Sequence, residues 1–341
     1  MQVGMYYNNS DVRLETMSVP KIGDRELLLQ VEASGICGSD VLEWYRIKSA
    51  PLVLGHEVTG VVSQIGKEVT KYKPGDRVFV THHVPCNTCD YCLDGHETAC
   101  DTLYNTKFDP GGFAQFLRVP EINVDRGMLN LPDDVSFHEG SFIEPLGTVV
   151  RGSRNAQIGV GDNVLILGAG TAGLLYVKMA KALGASTVGV TDLNPYRMKK
   201  AIEFGADYAT NARNDVPAEV QSAIGGLANK VIICAGALPA VEQGLASVDR
   251  GGTVMFFAVP KPGEKVSIDL TPYWRNDVTF MTSYASAPRD SSEALELIKC
   301  GVIDVQDMIT DVLPLEDIAK GFQMTAEGGE SIKVIIEPNK K

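Results

Sequence analysis

The stretch that most constrains the fold is the glycine-rich segment Gly168-Ala169-Gly170-Thr171-Ala172-Gly173. It follows an apolar run, 164–167, and precedes a helix-like run, 174–183. The next apolar run, 187–191, is followed by the acidic residue Asp192. A strand before the glycines, a helix after them and an acid about 20 residues on are typical of a dinucleotide-binding turn. The predicted cofactor-binding residues are therefore Gly168, Gly170, Thr171, Ala172, Gly173 and Asp192.

Each glycine of this pattern has its own task. The first permits a tight turn, the second lets the backbone approach a pyrophosphate, and the third allows close packing of helix on strand. The N–H groups at the start of the helix, with the positive end of its dipole, then face the phosphates. The alternative is a glycine-rich turn between a strand and a helix that binds no ligand.

Asp192 is predicted to select NAD. A carboxylate there accepts hydrogen bonds from the adenine ribose and repels the additional phosphate of NADP. Arg197 lies five residues on, and because an arginine can hold that phosphate it is included among the predicted cofactor contacts. Asp192 could also cap the helix that starts near Pro195, and the two roles are compatible.

Length and charge limit the function classes. The 341 residues suffice for two domains. The net charge of −12 argues against a nucleic-acid or anionic-membrane partner, whose binding needs clustered Lys and Arg. The sequence lacks an apolar run of about 20 residues and a signal-peptide pattern, and seven cysteines in such a chain point away from disulfides. We expect a cytoplasmic protein that acts on a small molecule.

The order of elements predicts an α/β protein with two kinds of domain. Short strand-like runs with glycine turns fill the first part of the chain, as in a small barrel. Strand-like and helix-like runs alternate from 164 to 283, which indicates a parallel sheet covered by helices. The alternation of strand-like and helix-like runs ends near 289, and we expect the C-terminal segment that follows to return to the first domain. The predicted domains are 1–150, rejoined by 287–341, and 151–286.

Four cysteines lie in one short stretch, at positions Cys86, Cys89, Cys92 and Cys100. Four thiolates complete the tetrahedral coordination of zinc and leave no position for a substrate, so the pattern predicts a structural zinc site. An iron–sulfur cluster is the alternative, because repeated C-x-x-C spacing also occurs there.

A second constellation combines Cys37 with the adjacent His56 and Glu57. Thiolate, imidazole and carboxylate are the mixed ligands of catalytic zinc, which keeps one position open for water or substrate. The residues alone do not connect Cys37 to His56, since a single histidine is more often a packing or hydrogen-bonding residue than a ligand.

Several motifs together resemble the zinc-dependent medium-chain dehydrogenase family, and within it the polyol (sorbitol) and threonine dehydrogenases. They occur in family order: Gly35-Ile36-Cys37-Gly38-Ser39-Asp40, Gly55-His56-Glu57, the four-cysteine loop, Glu144-Pro145-Leu146 and the glycine-rich turn. The resemblance implies a GroES-like β-rich catalytic domain, a Rossmann domain with a doubly wound parallel sheet, and a homodimer or homotetramer.

The resemblance also implies roles for individual residues. Cys37, His56, Glu57 and Glu144 resemble the ligands of a catalytic zinc, so that each chain would hold two zinc ions. Ser39 resembles the hydroxyl that takes the proton from the alcohol, and Asp40 resembles a partner that orients a ligand. The implied reaction is reversible oxidation of a secondary alcohol by NAD.

One position departs from the family pattern. Many relatives carry a histidine of the proton path five residues after the ligand cysteine, where this chain has Leu42. Glu43 could substitute, or it is a solvated surface acid. His83 stands three residues before Cys86, as does a histidine near the active site of threonine dehydrogenases.

The substrate class stays open between polyols, sugar acids, cyclitols and amino alcohols. Glu57, beside His56, and Glu144, before Pro145, resemble the polyol dehydrogenases, and this resemblance favours a polyol or sugar-derived alcohol. The alternatives are threonine oxidation, a zinc-free reductase of the same superfamily, and a non-catalytic NAD-binding protein. Candidate pocket residues are Tyr104, Phe108, Trp274 and Arg289.

Overall fold

The computed structural model describes residues 1–340, and its contacts divide the chain into two compact units. The first unit combines Met1–Gly147 with the chain from Ala285 onward, and the second is Thr148–Tyr284. One sheet system contains mostly antiparallel strands and the other is parallel throughout, which confirms the predicted fold class.

The strands, in chain order, are β1 (Gln2–Asn8), β2 (Asp11–Thr16), β3 (Leu27–Gly35), β4 (Leu52–Val53), β5 (Glu57–Ile65), β6 (Arg77–Val80), β7 (Phe116–Val119), β8 (Met128–Asn130), β9 (Asn163–Leu167), β10 (Thr187–Asp192), β11 (Tyr208–Asn211), β12 (Ala228–Ile233), β13 (Val248–Phe256), β14 (Thr279–Thr282), β15 (Ile309–Pro314) and β16 (Lys333–Glu337).

The α-helices are α1 (Glu43–Arg46), α2 (Asp90–Leu93), α3 (Asp101–Asn105), α4 (Glu121–Arg126), α5 (Phe137–Ser141), α6 (Ile143–Asn155), α7 (Thr171–Ala182), α8 (Pro195–Glu203), α9 (Val216–Ile224), α10 (Leu238–Ala246), α11 (Thr271–Arg275), α12 (Pro288–Lys299) and α13 (Ile318–Glu327). Within the described residues 1–340, no helix combines the length and apolar character needed to span a bilayer.

The main sheet of the first unit has the order β15-β16-β3-β5-β6-β8, with β7 also paired to β3. A smaller sheet, β2-β1-β4, belongs to the same unit. Strand β16 runs antiparallel to β3, with Ile335 opposite Gly35. The last strand of the chain is therefore a direct neighbour of the strand that leads to Cys37.

The core of the first unit consists of buried aliphatic and aromatic side chains in two clusters. One contains Tyr6, Phe113 and Phe322 and draws together β1, the segment before β7, and α13. The other draws mainly on buried leucine and valine side chains of β3, β5 and β6.

The sheet of the second unit has the order β11-β10-β9-β12-β13-β14, and all neighbouring strands are parallel. Counted from β9, this is the 3-2-1-4-5-6 order of a dinucleotide-binding fold. The side chains of 164–167 on β9 are all buried, as expected for a strand covered on both faces. Ligands of such sheets bind where the strand order reverses, here between the carboxyl ends of β9 and β12.

Candidate metal centres and nucleotide-binding turn

The glycine-rich turn lies at this reversal point. Gly168 has φ +103°, a conformation that disfavours other residues, and it lies against Ala235 just after β12. A Cβ on Gly173 would overlap the carbonyl oxygen of Gly168, so only glycine lets α7 start this close to β9. A Cβ on Gly170 would meet nothing within 4 Å, which leaves the backbone open to a ligand.

Asp192 lies beside this turn at the end of β10. Its Oδ2 accepts a hydrogen bond from the backbone N–H of Ala169 at 2.7 Å, and its Oδ1 accepts one from Asn194 at 2.8 Å. Helix α8 is capped by Asn194, whose side chain accepts from Tyr196 and Arg197. The alternative in which Asp192 caps this helix is therefore wrong, and its carboxylate instead braces the glycine-rich turn.

The four-cysteine loop brings its sulfur atoms together. The Sγ of Cys86 lies 3.9 Å from that of Cys92 and 3.6 Å from that of Cys100, and Cys89 lies 3.5 Å from Cys92. Sulfur atoms at the corners of a tetrahedron around zinc, with Zn–S of 2.3 Å, would lie about 3.8 Å apart. These three distances suit a tetrahedral ion, and all four sulfurs lie within 4.8 Å of one another.

Backbone N–H groups already point at these sulfurs. The N–H groups of Thr88 and Cys89 donate to the Sγ of Cys86 at 3.4 and 3.3 Å. The side chain and backbone of Thr88, together with Cys89, lower the pKa of Cys86 to about 5. Burial and the neighbouring thiol of Cys89 raise the pKa of Cys92 to about 12. The loop thus favours the thiolate of Cys86 unaided, whereas four adjacent thiolates require a cation.

The second constellation is assembled from separate segments of the first unit. Cys37 follows β3 and precedes a short 3-10 helix, Gly38–Val41. His56 and Glu57 stand at the start of β5, which pairs with β3 so that Glu57 lies opposite Gly35. The ligand atoms of Cys37, His56 and Glu57 lie within 4.8 Å of one another. The pairing of β3 with β5 thus makes the connection that the residues alone left open.

His56 is oriented by the buried carboxylate of Asp40. The Nδ1 of His56 lies 3.4 Å from an Asp40 oxygen. Burial opposes a charge on His56, yet Asp40 and Cys37 outweigh it and hold the pKa of His56 well above its ordinary value. A carboxylate behind one ring nitrogen directs the other toward a metal, as in many zinc sites.

Arg46 occupies the neighbourhood of Ser39. It donates to the backbone oxygen of Ser39 and to its Oγ, both at 3.0 Å, and forms an ion pair with Asp40 at 3.2 Å. For Asp40, His56 and Arg46 overcome the effect of burial and lower the pKa of its carboxyl group. Leu42 is exposed, and the carboxylate of Glu43 accepts from the N–H of Asn9 at 3.2 Å.

Glu57 forms a buried ion pair with Lys333, the first residue of β16. Both side chains are 1% exposed, and the ammonium group also donates to the carbonyl of Ile36 at 3.3 Å. A Cβ on Gly35 would overlap Glu57 and lie within 2.9 Å of the Lys333 amine, so the glycine makes room for the pair. Glu57 thus has a cationic partner within the protein itself.

Glu144 lies in the first turn of α6 and is grouped with His82 and His83, which follow β6. The ligand atoms of these three residues also lie within 4.8 Å of one another. Burial is the main cause that raises the pKa of Glu144 to about 7, and Glu57 adds to it. Burial, with the neighbouring His56, lowers the pKa of His83 to about 3 and that of His82 well below its usual range.

Three residues near these centres were not singled out in the sequence: Arg46, Lys333 and His82. A signal existed for Lys333, because a lone lysine interrupts the apolar run 332–336 of a predicted strand. Among the pocket candidates, Phe108 packs edge-on against His82, with ring centroids 6.2 Å apart. Tyr104 and Trp274 are 50% and 83% exposed, and Arg289 lies in the first turn of α12.

Comparisons with known proteins identify the family. The alcohol dehydrogenase GroES-like domain matches residues 23–133, and the zinc-binding dehydrogenase domain matches 172–299. The chain belongs to the zinc-dependent medium-chain alcohol and polyol dehydrogenase family. It is therefore an alcohol oxidoreductase that uses zinc and a nicotinamide cofactor.

Individual relatives extend over nearly the whole chain. Sorbitol dehydrogenase of Mus musculus is 33% identical over 96% of this chain and 94% of its own length. L-threonine 3-dehydrogenase of Bacillus velezensis is 35% identical over 95% of both chains. The solved alcohol dehydrogenase of Thermus sp. ATN1 has a TM-score of 0.89 at 27% identity and covers 99% of both chains.

Proposed function

We propose that this dehydrogenase oxidises a secondary hydroxyl of a polyol or sugar-derived alcohol with NAD, and reduces the matching ketone in reverse. The observation that carries the proposal is the convergence of Cys37, His56 and Glu57, with His56 oriented by Asp40. We propose Glu144, buried on α6, as a further ligand of the same ion. Zinc held there supplies a Lewis acid that lowers the pKa of an alcohol hydroxyl.

The chain's own groups handle the proton. We propose that Ser39 accepts it from the substrate hydroxyl through the oxygen lone pair that Arg46 leaves free. Arg46 donates only, so it fixes the Ser39 side chain but takes no part in passing the proton on. With Leu42 exposed at the family's histidine position, the proton would leave from Ser39 to solvent.

The cofactor is proposed to bind on the second unit. The pyrophosphate would face the start of α7, where Gly170, Thr171 and Ala172 present their backbone. Asp192, already braced against Ala169, is placed to accept hydrogen bonds from the adenine ribose hydroxyls. Arg197, in the first turn of α8, is the contact that would weaken discrimination against NADP. We retain NAD as the preferred cofactor.

The four-cysteine loop is proposed to hold a second, structural zinc. The spacing of its sulfurs and the N–H groups aimed at Cys86 support that assignment. We further propose 1–150 with 287–341 as the catalytic domain and 151–286 as the NAD-binding domain. A cytoplasmic homodimer or homotetramer is also proposed, and the free thiol state of all seven cysteines fits a reducing compartment.

The substrate class is proposed as a polyol because two carboxylates, Glu57 and Glu144, lie in the neighbourhood of His56. Oxidation of L-threonine is the second candidate, since the threonine dehydrogenase relative is 35% identical and His83 lies close to Glu144. His83 would contact the substrate in that case.

The test is the appearance of NADH when purified protein meets NAD and a panel of polyols, sugar acids and L-threonine. We expect turnover on a polyol, lost after chelation and restored by zinc. An Asp192→Ala variant should bind NADP better relative to NAD, whereas an Asp207→Ala control outside the turn should not. Absence of turnover on every compound by protein with verified zinc would overturn the proposal.

A further inference from the structure

We propose that His82, His83 and Glu144 form a second cation site beside the Cys37 centre, one that holds a divalent transition metal through nitrogen and oxygen only. Two histidines and one carboxylate are an established ligand set for zinc and for iron(II). Their ligand atoms lie within 4.8 Å of one another. Atoms on opposite sides of one ion at 2.0–2.2 Å lie up to about 4.4 Å apart, so small side-chain rotations close the set.

The three residues are held in place from several directions. Phe108 packs edge-on against the ring of His82, and the rings of His82 and His83 lie 3.6 Å apart between centroids. The buried amide of Asn123 donates to the carbonyl of Thr81 at 2.8 Å, which fixes the backbone just before the pair. Such positioning favours metal binding because little conformational entropy is then lost.

An unpartnered buried atom marks the same place. The Nδ1 of His82 is shielded from solvent and has no hydrogen-bond partner within the described residues. A buried polar atom without a partner is costly, and a bound cation is one way to satisfy it. Glu144 is 5% exposed, and the ammonium group of Lys333 is paired with Glu57. A cation would therefore satisfy the Nδ1 of His82 and meet a buried carboxylate at Glu144.

The charges of the surrounding groups predict that this site binds its ion less tightly than the Cys37 centre does. With the Cys37 thiol ionised, four negative groups face two positive ones in the cluster: Cys37, Asp40, Glu57 and Glu144 against Arg46 and Lys333. One divalent ion at Cys37 and His56 balances this excess. A further ion must bind to a neutral cluster, and it shares Glu144 with its neighbour. We expect its affinity to be at least about tenfold lower than that of the first ion, which is 1.4 kcal/mol.

The experiment is a titration of zinc-loaded protein with Co²⁺, followed by absorption spectroscopy and metal analysis. We expect one additional Co²⁺ per chain, with visible d–d bands but no thiolate-to-cobalt band, and no release of zinc. Zinc release together with a thiolate band would mean exchange at a cysteine site and would overturn the proposal. So would saturation without any additional ion.

The decisive variant is the double substitution His82→Ala/His83→Ala, with His138→Ala as the matched control remote from the cluster. The double variant should keep its original zinc and its melting transition but lose the additional Co²⁺, and the control should bind it normally. Unchanged Co²⁺ binding by the double variant would contradict the site. If the double variant does not fold, the single variants His82→Ala and His83→Ala must each weaken the binding of the same ion. None of these readouts depends on turnover, so they are independent of the proposed reaction.

Discussion

The four-cysteine loop and the Cys37 centre both gather metal-ligating side chains, but they are built in opposite ways. The loop draws all its ligands from 86–100, all of them thiols. The centre draws on the end of β3 and the start of β5, with Lys333 of β16 beside it, and mixes thiol, imidazole, carboxylate and ammonium groups. Four thiolates from one loop complete the coordination of an ion and leave no position for a substrate. A mixed set from several segments can leave one coordination position open for a substrate and keeps charged groups beside it.

The comparison predicts that removing one ligand has different consequences in the two regions. Cys37→Ser should lower kcat/KM on the order of 10³–10⁴-fold, because the Lewis acid that stabilises several kcal/mol of charge is lost. Zinc analysis should show loss of one ion, with the loop ion and NAD binding retained. Full activity of this variant would remove Cys37 from the centre.

The buried ion pair should matter more than any surface pair. Lys333→Met leaves the Glu57 carboxylate buried without its ammonium partner, which should lower the free energy of unfolding by about 3–5 kcal/mol. The double variant Glu57→Gln/Lys333→Met should recover most of that loss in a denaturant titration. Lys340→Met is the control, since its exposed pair with Glu337 is worth less than about 1 kcal/mol. Equal effects of Lys333→Met and Lys340→Met on the free energy of unfolding would show that the buried Glu57–Lys333 pair stabilises the fold no more than an exposed pair does.

Cys92→Ser in the loop should damage stability rather than chemistry. Loss of an ion bound at 100 times its Kd costs about 2.7 kcal/mol, seen as a lower melting temperature. We expect the folded fraction to keep kcat/KM within about tenfold of the original enzyme, because the loop offers no open position to substrate. A loss as severe as that of Cys37→Ser, in protein that retains its other zinc, would contradict the structural assignment.

The smallest effect is expected from restoring the missing histidine. Leu42→His should raise kcat less than about tenfold, because under the proposed mechanism Ser39 passes the proton to solvent without a histidine. Only the neutral imidazole accepts a proton, so the gain should appear above the histidine pKa of about 6.5 and vanish below it. Leu42→Gln, similar in size but without titration in this range, is the control. A gain that is the same at pH 5.5 and pH 8 would exclude a proton-transfer role.

The same contrast explains what sequence could predict. The glycine-rich turn and the cysteine loop are contiguous, so spacing alone indicated their geometry. Cys37 and His56 are linked by the pairing of β3 with β5, which the residues did not reveal and only family resemblance supplied. Arg46 lies only six and seven residues from Asp40 and Ser39, but no motif marks these contacts. Lys333 and the grouping of His82 with Glu144 depend on side chains that meet across distant segments. No local pattern encodes such meetings, because each depends on how β strands pair over long separations.

Lys333 lies on β16, near the end of the chain, so it is synthesised long after the residues that it contacts. Residues 37–144 emerge from the ribosome well before residue 333, since the whole second unit is synthesised between them. During that interval Glu57 must do without its ammonium partner. Pairing of β16 with β3 and completion of the Glu57–Lys333 ion pair are therefore among the last steps in forming this unit.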